Sequence, residues 1–221
     1  MSHDHNRSDG TFYKRPYDPT RHGNLYGYPA EEIQDEIVSD GITFKMGSRE
    51  DLQNNVVRCT GQEIELPEGD YNRLYILAAA YDDLSDDFIV DGKKVNIGIS
   101  KWWGFVGQHY DRKFEVDGYT VYDVKPPFVK EDNIAWFASH RHFSYPSANM
   151  PYEYSYIFKY EIEIDKGAKK IVLPDNSRIR VFAITLANDK GDKIKMLQPL
   201  HDDFSENPHY KLRPGKHVRL K

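Results

Sequence analysis

Ile134-Ala-Trp-Phe-Ala-Ser-His-Arg-His142 and Tyr154-Ser-Tyr-Ile-Phe-Lys-Tyr-Glu-Ile-Glu-Ile164 decide the fold class. In the second run Tyr154, Tyr156, Phe158, Tyr160, Ile162 and Ile164 fall on one face. Ser155, Lys159, Glu161 and Glu163 fall on the other, with Ile157 the apolar exception. Period-2 alternation of this kind marks a half-buried strand, because successive side chains of an extended chain face opposite ways. The shorter apolar run Ile134 to Ala138 suits a strand covered on both faces. Between the two runs, Ser139 to Glu153 is rich in imidazole, aromatic and hydrogen-bonding groups, and reads as a loop. Loops carried on a rigid sheet are where binding groups collect, so the site is expected there.

Working outward, Ile42 to Met46, Asn55 to Thr60 and Gln62 to Leu66 read as short strands. Arg73-Leu-Tyr-Ile-Leu-Ala-Ala-Ala80 is nearly continuous apolar sequence, the pattern of a central strand. Asp91-Gly92 between two β-type runs signals a two-residue hairpin. Residues 98 to 133 read as a long irregular connection rich in aromatics, a length that is usually functional or a covering layer. Lys169 to Leu173, Arg178 to Ala187 and Lys193 to Leu197 supply further strands. No amphipathic crossover helix separates them, so the expected class is an all-β sandwich of jelly-roll type. Its expected bounds are 41–197, with an extended arm or linker at 1–40, one helical turn within Ala30 to Val38, and a polar tail at 198–221.

The net charge of −5 and the lack of a basic stripe with interleaved aromatics argue against nucleic acid. No run approaches the roughly 20 apolar residues of a membrane helix. The N-terminus lacks the apolar core of a signal peptide, which points to the cytoplasm for a complete chain. A piece of a longer chain would be compatible with secretion or the periplasm. Cys59 is the single cysteine, and Val56-Val-Arg-Cys-Thr60 places it in a strand as a structural residue.

Gly41-Ile-Thr-Phe-Lys-Met-Gly47, Gly69-Asp-Tyr-Asn-Arg-Leu-Tyr-Ile-Leu-Ala-Ala-Ala80, Trp103-Gly-Phe-Val-Gly-Gln108, Ala135 to His142, Tyr152 to Tyr160 and Gly167-Ala-Lys-Lys-Ile-Val-Leu-Pro-Asp-Asn176 carry a family resemblance. Over about residues 40 to 187 the chain resembles the C-terminal β-sandwich region of microbial glycoside hydrolase family 38 α-mannosidases. That resemblance implies a galactose-binding-like sandwich serving as the accessory module of a mannosidase. The zinc-bearing catalytic barrel of those enzymes has no counterpart here, so no catalytic residue is carried over. The partners implied are a mannoside or a catalytic glycoside hydrolase domain. A purely structural domain completing such a barrel is the alternative, with a free-standing hydrolase a third reading.

Candidate ligand groups follow from residue chemistry. Trp102 and Trp103 offer indole faces on which a pyranose can stack, or else plug the end of the sandwich. His140, Arg141 and His142, with Tyr152 nearby, offer hydrogen-bonding groups, Arg141 as a rigid fork. The two histidines at i and i+2, with Glu153, also suit a metal or plain structural bonding. Asp82, Asp83, Asp86 and Asp87 are hard oxygen donors that suit a structural calcium, or a solvated acidic turn.

Overall fold

The computed structural model describes residues 8–13, 25–29, 31–48, 55–104, 109–125, 132–143 and 148–189. Among the described residues sixteen strands run in chain order: β1 Ser8–Tyr13, β2 Leu25–Pro29, β3 Glu36–Ser39, β4 Ile42–Lys45, β5 Val57–Arg58, β6 Glu63–Glu65, β7 Arg73–Ala80 and β8 Leu84–Val90. There follow β9 Lys93–Ile99, β10 Trp103–Gly104, β11 His109–Val116, β12 Tyr119–Lys125, β13 Asn133–Phe143, β14 Ala148–Glu163, β15 Lys170–Val172 and β16 Ile179–Ala187. No helix occurs among the described residues. The chain forms two compact units, one of Met1–Gly104 with Asp132–Lys193, the other of Phe105–Glu131 with Ile194–Lys221.

The first unit is an all-β sandwich. Its large sheet runs β1-β2-β13-β14-β7-β16-β5, with β10 joining at β14, and a smaller sheet runs β6-β15-β8-β9. Tyr160, on the aromatic face of β14, donates its hydroxyl to Asp132 at 2.7 Å and accepts the Ser100 N–H just past β9 at 2.9 Å. That face therefore packs on the small sheet. Lys159, one residue away and so on the opposite face, pairs with Asp40 in the β3–β4 turn. Thr185 Oγ1 of β16 donates to the Thr43 carbonyl at 2.9 Å, so the β3–β4 hairpin covers this second face.

Covering on both sides explains β7. Leu74 to Ala80 are all buried, as a continuous apolar run at the sheet centre demands. The half-buried reading of β14 holds from Phe158 to Ile164, where buried residues alternate with Lys159 and the exposed Glu161 and Glu163. It fails at Ser155 and Ile157, which are fully buried on the more polar face. The reverse correction applies to Ile134 to Ala138. In β13 only Ala138 of this run is fully buried, and Phe137 stands 59% exposed. The small sheet meets β7 and β14 through β9.

The N-terminal stretch is also more structured than an arm. β2 pairs with β13 through Gly27↔His142 and Tyr26↔Phe143, and Tyr28, Ile33 and Ile37 enter the core. The helical turn expected within Ala30 to Val38 is instead a short turn leading into β3. Asp40 and Gly41, at φ +49° and +77°, form the kind of turn that joins two antiparallel strands. Asp91-Gly92 closes β8 onto β9 in the same way, as the sequence implies. In the second unit, Asp117-Gly118 closes β11 onto β12 within what reads in sequence as irregular connection. The strand expected at Lys193 to Leu197 and the tail at 198–221 lie outside the described residues.

Candidate functional site

Of the stretch Ser139 to Glu153, residues 139–143 and 148–153 are strand and not loop. β13 and β14 pair from Asn133↔Lys159 to Phe143↔Ala148, with register shifts between Ile134 and Trp136 and between Ala138 and His140. The first shift spends an extra residue on β13 and the second spends extra residues on β14, and each re-aims the side chains beyond it. Residues 144–147 at the tip lie outside the described residues.

Beyond the second shift Arg141 is buried. Its guanidinium carbon lies 3.8 Å from the centre of the Tyr26 ring and 3.9 Å from that of Trp103. Nε and Nη2 both bond the Glu153 carboxylate across the hairpin. Lys101 Nζ lies 4.0 Å from the centre of the Trp103 ring. The structure thus brings Trp103 and Arg141 together, but it uses the arginine fork as internal bracing. Both faces of the fork are stacked, and Glu153 holds two of its three nitrogens.

Trp102 is a core residue at 3% exposure, which corrects its place among the stacking candidates. The cause is backbone pairing. Trp102 N–H donates to the Ala80 carbonyl at 2.9 Å, and Tyr156 N–H donates to the Trp102 carbonyl at 2.7 Å. These bonds pin one indole inward and leave its neighbour Trp103 half-buried. Trp102 packs 5.0 Å from Tyr28, which also meets Trp136 at 5.9 Å and Phe182 at 5.4 Å. The Tyr28 hydroxyl donates to the Tyr156 carbonyl at 2.7 Å.

His140 is buried as well, with Nδ1 3.2 Å from Glu32 Oε1 and Nε2 3.7 Å from Glu31 Oε1. The two ring nitrogens point to different carboxylates and so cannot share one ion. His142 Nδ1 sits 3.0 Å from Asn149 Oδ1 instead, and Glu153 is held by Arg141. The His140, His142 and Glu153 set therefore does not converge. The side chain of Tyr152 lies outside the described residues.

The four aspartates act as corner ties. Asp82 pairs with Arg178, and Asp83 accepts the Lys101 N–H at 2.6 Å. Asp86 accepts from Asn176 at 2.8 Å. Hydrogen bonds from Asn96 and Lys94 hold the Asp87 carboxyl below its ordinary range. Among the described residues no three His, Cys, Asp or Glu side chains assemble a metal-binding group. Cys59 is fully buried, and desolvation pushes its thiol up to about 12, away from thiolate chemistry.

Sequence reasoning missed a different set of groups. Phe137 and Tyr154 lie on adjacent strands with ring centres 6.5 Å apart and planes 31° from parallel. Tyr154 is itself stacked on Tyr156 at 17°, the outermost step of a row that passes through Phe158 to Tyr160. In the next lane Gly104 pairs with Tyr154 in register. The result is an aromatic shelf on the large sheet, carried by β13 and β14. Its one sequence signal is a phenylalanine at an odd position of an apolar run, which reads as core.

Sheet order, register and the double covering define a β-sandwich domain with a cation-braced aromatic end. The chain belongs to the AziU2-like β-sandwich domain family, whose model matches residues 1–190. No curated protein matches the chain in sequence.

Proposed function

We propose that the chain is a non-catalytic, carbohydrate-associated sandwich module whose contact surface is the shelf of Phe137 and Tyr154. The observation that carries this reading is Phe137, a large apolar ring left 59% exposed beside a half-buried tyrosine on a rigid sheet. Two such rings offer the flat apolar surface that the C–H face of a pyranose needs, and tyrosine adds a hydroxyl for the sugar's own hydroxyls. The resemblance to the sandwich region of α-mannosidases supplies the ligand class, an α-mannoside. Titrating mannose, mannobiose and galactose into the chain, followed by aromatic fluorescence and by the Phe137 and Tyr154 ring resonances, tests it. Mannosides are expected to shift both rings at millimolar concentration. Unchanged spectra with all three sugars would remove the reading.

A second reading is a structural domain packing on a catalytic glycoside hydrolase domain. The exposure of Val38, at 63%, on the outer side of the β3–β4 hairpin favours it, because this is a second large apolar side chain left uncovered. Self-association together with binding of an apolar dye supports this reading, and a dye-silent monomer counts against it. Turnover of aryl α-mannosides surviving repurification, with or without zinc, would point instead to a hydrolase.

A further inference from the structure

Gly104 is a strand residue with no conformational need to be glycine. It forms β10 with Trp103, pairs with Tyr154 and has no positive φ. A Cβ built on it meets nothing within 4 Å among the described residues. Glycine within a strand weakens the strand, and where no bend or bulge requires it the position often marks close approach by a ligand or another backbone. Gly98 in β9 is equally open, but its cross-strand partner is Ser85, not an aromatic residue.

Directly paired residues on antiparallel strands present their side chains on the same face. Among the described residues, the missing side chain of Gly104 therefore leaves space immediately beside the Tyr154 ring. Three lanes lie side by side here, Phe137 on β13, Tyr154 on β14 and Gly104 on β10. At about 4.8 Å per lane the shelf spans roughly 10 Å across the strands. One pyranose stacked on the Phe137 and Tyr154 rings leaves the glycine lane empty.

We infer that the Gly104 lane is a second subsite, so that the shelf takes a disaccharide or longer glycan, with one sugar stacked on the aromatic rings and the next lying over the glycine. This inference rests on the carbohydrate reading above and adds to it the length of the ligand.

The test compares mannose and mannobiose on the wild-type chain and on Gly104→Val, with backbone amide spectra recorded throughout. Valine suits a strand and has open space here, so the variant is expected to fold, and its thermal transition checks that. Mannobiose is expected to bind wild type about tenfold tighter than mannose, and Gly104→Val is expected to erase that preference while leaving mannose affinity within about twofold. In the wild type, mannobiose must shift the Gly104 amide and mannose must not, a readout independent of the variant. Equal affinity for the two sugars, or a Gly104 amide that stays still, overturns the subsite and leaves the module reading standing. Binding of neither sugar overturns both.

Discussion

The guanidinium of Arg141 lies flat against the Trp103 indole, 3.9 Å from its centre, while the Tyr26 ring closes the opposite face at 3.8 Å. Two aromatic rings, a buried cation and the Glu153 carboxylate thus tie β2, β10, β13 and β14 into one end of the sandwich. A group placed so is worth more to the fold than to a ligand.

Replacing Arg141 is therefore expected to destabilise the domain. Arg141→Ala leaves the Glu153 carboxylate without its buried partner and should cost about 3–5 kcal/mol in urea unfolding. Arg141→Lys keeps the charge but loses the planar stack and the two-point fork, and should recover less than half of that loss. An Arg141→Ala variant as stable as wild type would show that the bracing is incidental.

Trp102 and Tyr28 form the second expected weak point. Trp102→Ala opens a cavity beside Tyr28 and should cost about 3–5 kcal/mol. Trp102 Nε1 is buried with no hydrogen-bond partner among the described residues, so Trp102→Phe, which also removes that donor, should cost clearly less. Tyr28→Phe, losing the bond to the Tyr156 carbonyl, should cost about 1 kcal/mol. Trp136, half-buried against one edge of Tyr28, should be cheaper to truncate than Trp102. Chemical denaturation of the set gives the order.

Phe137 should behave in the opposite way. Its ring is mostly in solvent, so Phe137→Ala is expected to change stability by no more than about 0.5 kcal/mol. The same substitution should abolish the mannoside response. A large loss of stability would mean that the ring is buried against something and is not a contact surface.

Alkali should weaken the fold. Desolvation holds the Cys59 thiol at about 12 against an ordinary value of 9.0, and burial raises the Tyr28 and Tyr160 hydroxyls as well. The unfolded chain gives up the thiol proton at lower pH than the native chain does, so rising pH favours unfolding. The contribution from Cys59 is complete below about pH 9 and is lost between about 9 and 12. The urea midpoint measured across that window should fall, and should fall less in Cys59→Ala. A thiol reagent at pH 8 should leave Cys59 untouched until the chain unfolds.

The all-β class, the central strand Arg73–Ala80 and the Asp91-Gly92 hairpin were legible in the sequence because each rests on local chemistry. Alternation follows from the pleat, a continuous apolar run from two-sided burial, and an Asp-Gly turn from the left-handed conformations that pair adopts. The same signal is present at Asp40-Gly41 and Asp117-Gly118, where flanking irregular composition masked it. The site was legible only in part. Trp103 and Arg141 do meet, yet nothing local says that both faces of the guanidinium are already occupied, that Trp102 turns inward, or that Phe137 turns out. Those outcomes depend on two register shifts between β13 and β14 and on backbone bonds from Trp102 to Ala80 and Tyr156. Each of these joins residues far apart in the chain, and a one-residue slip in a strand moves a side chain from core to solvent. Composition and spacing carry the period of a strand, whereas the face that is covered is settled only when the sheets pack.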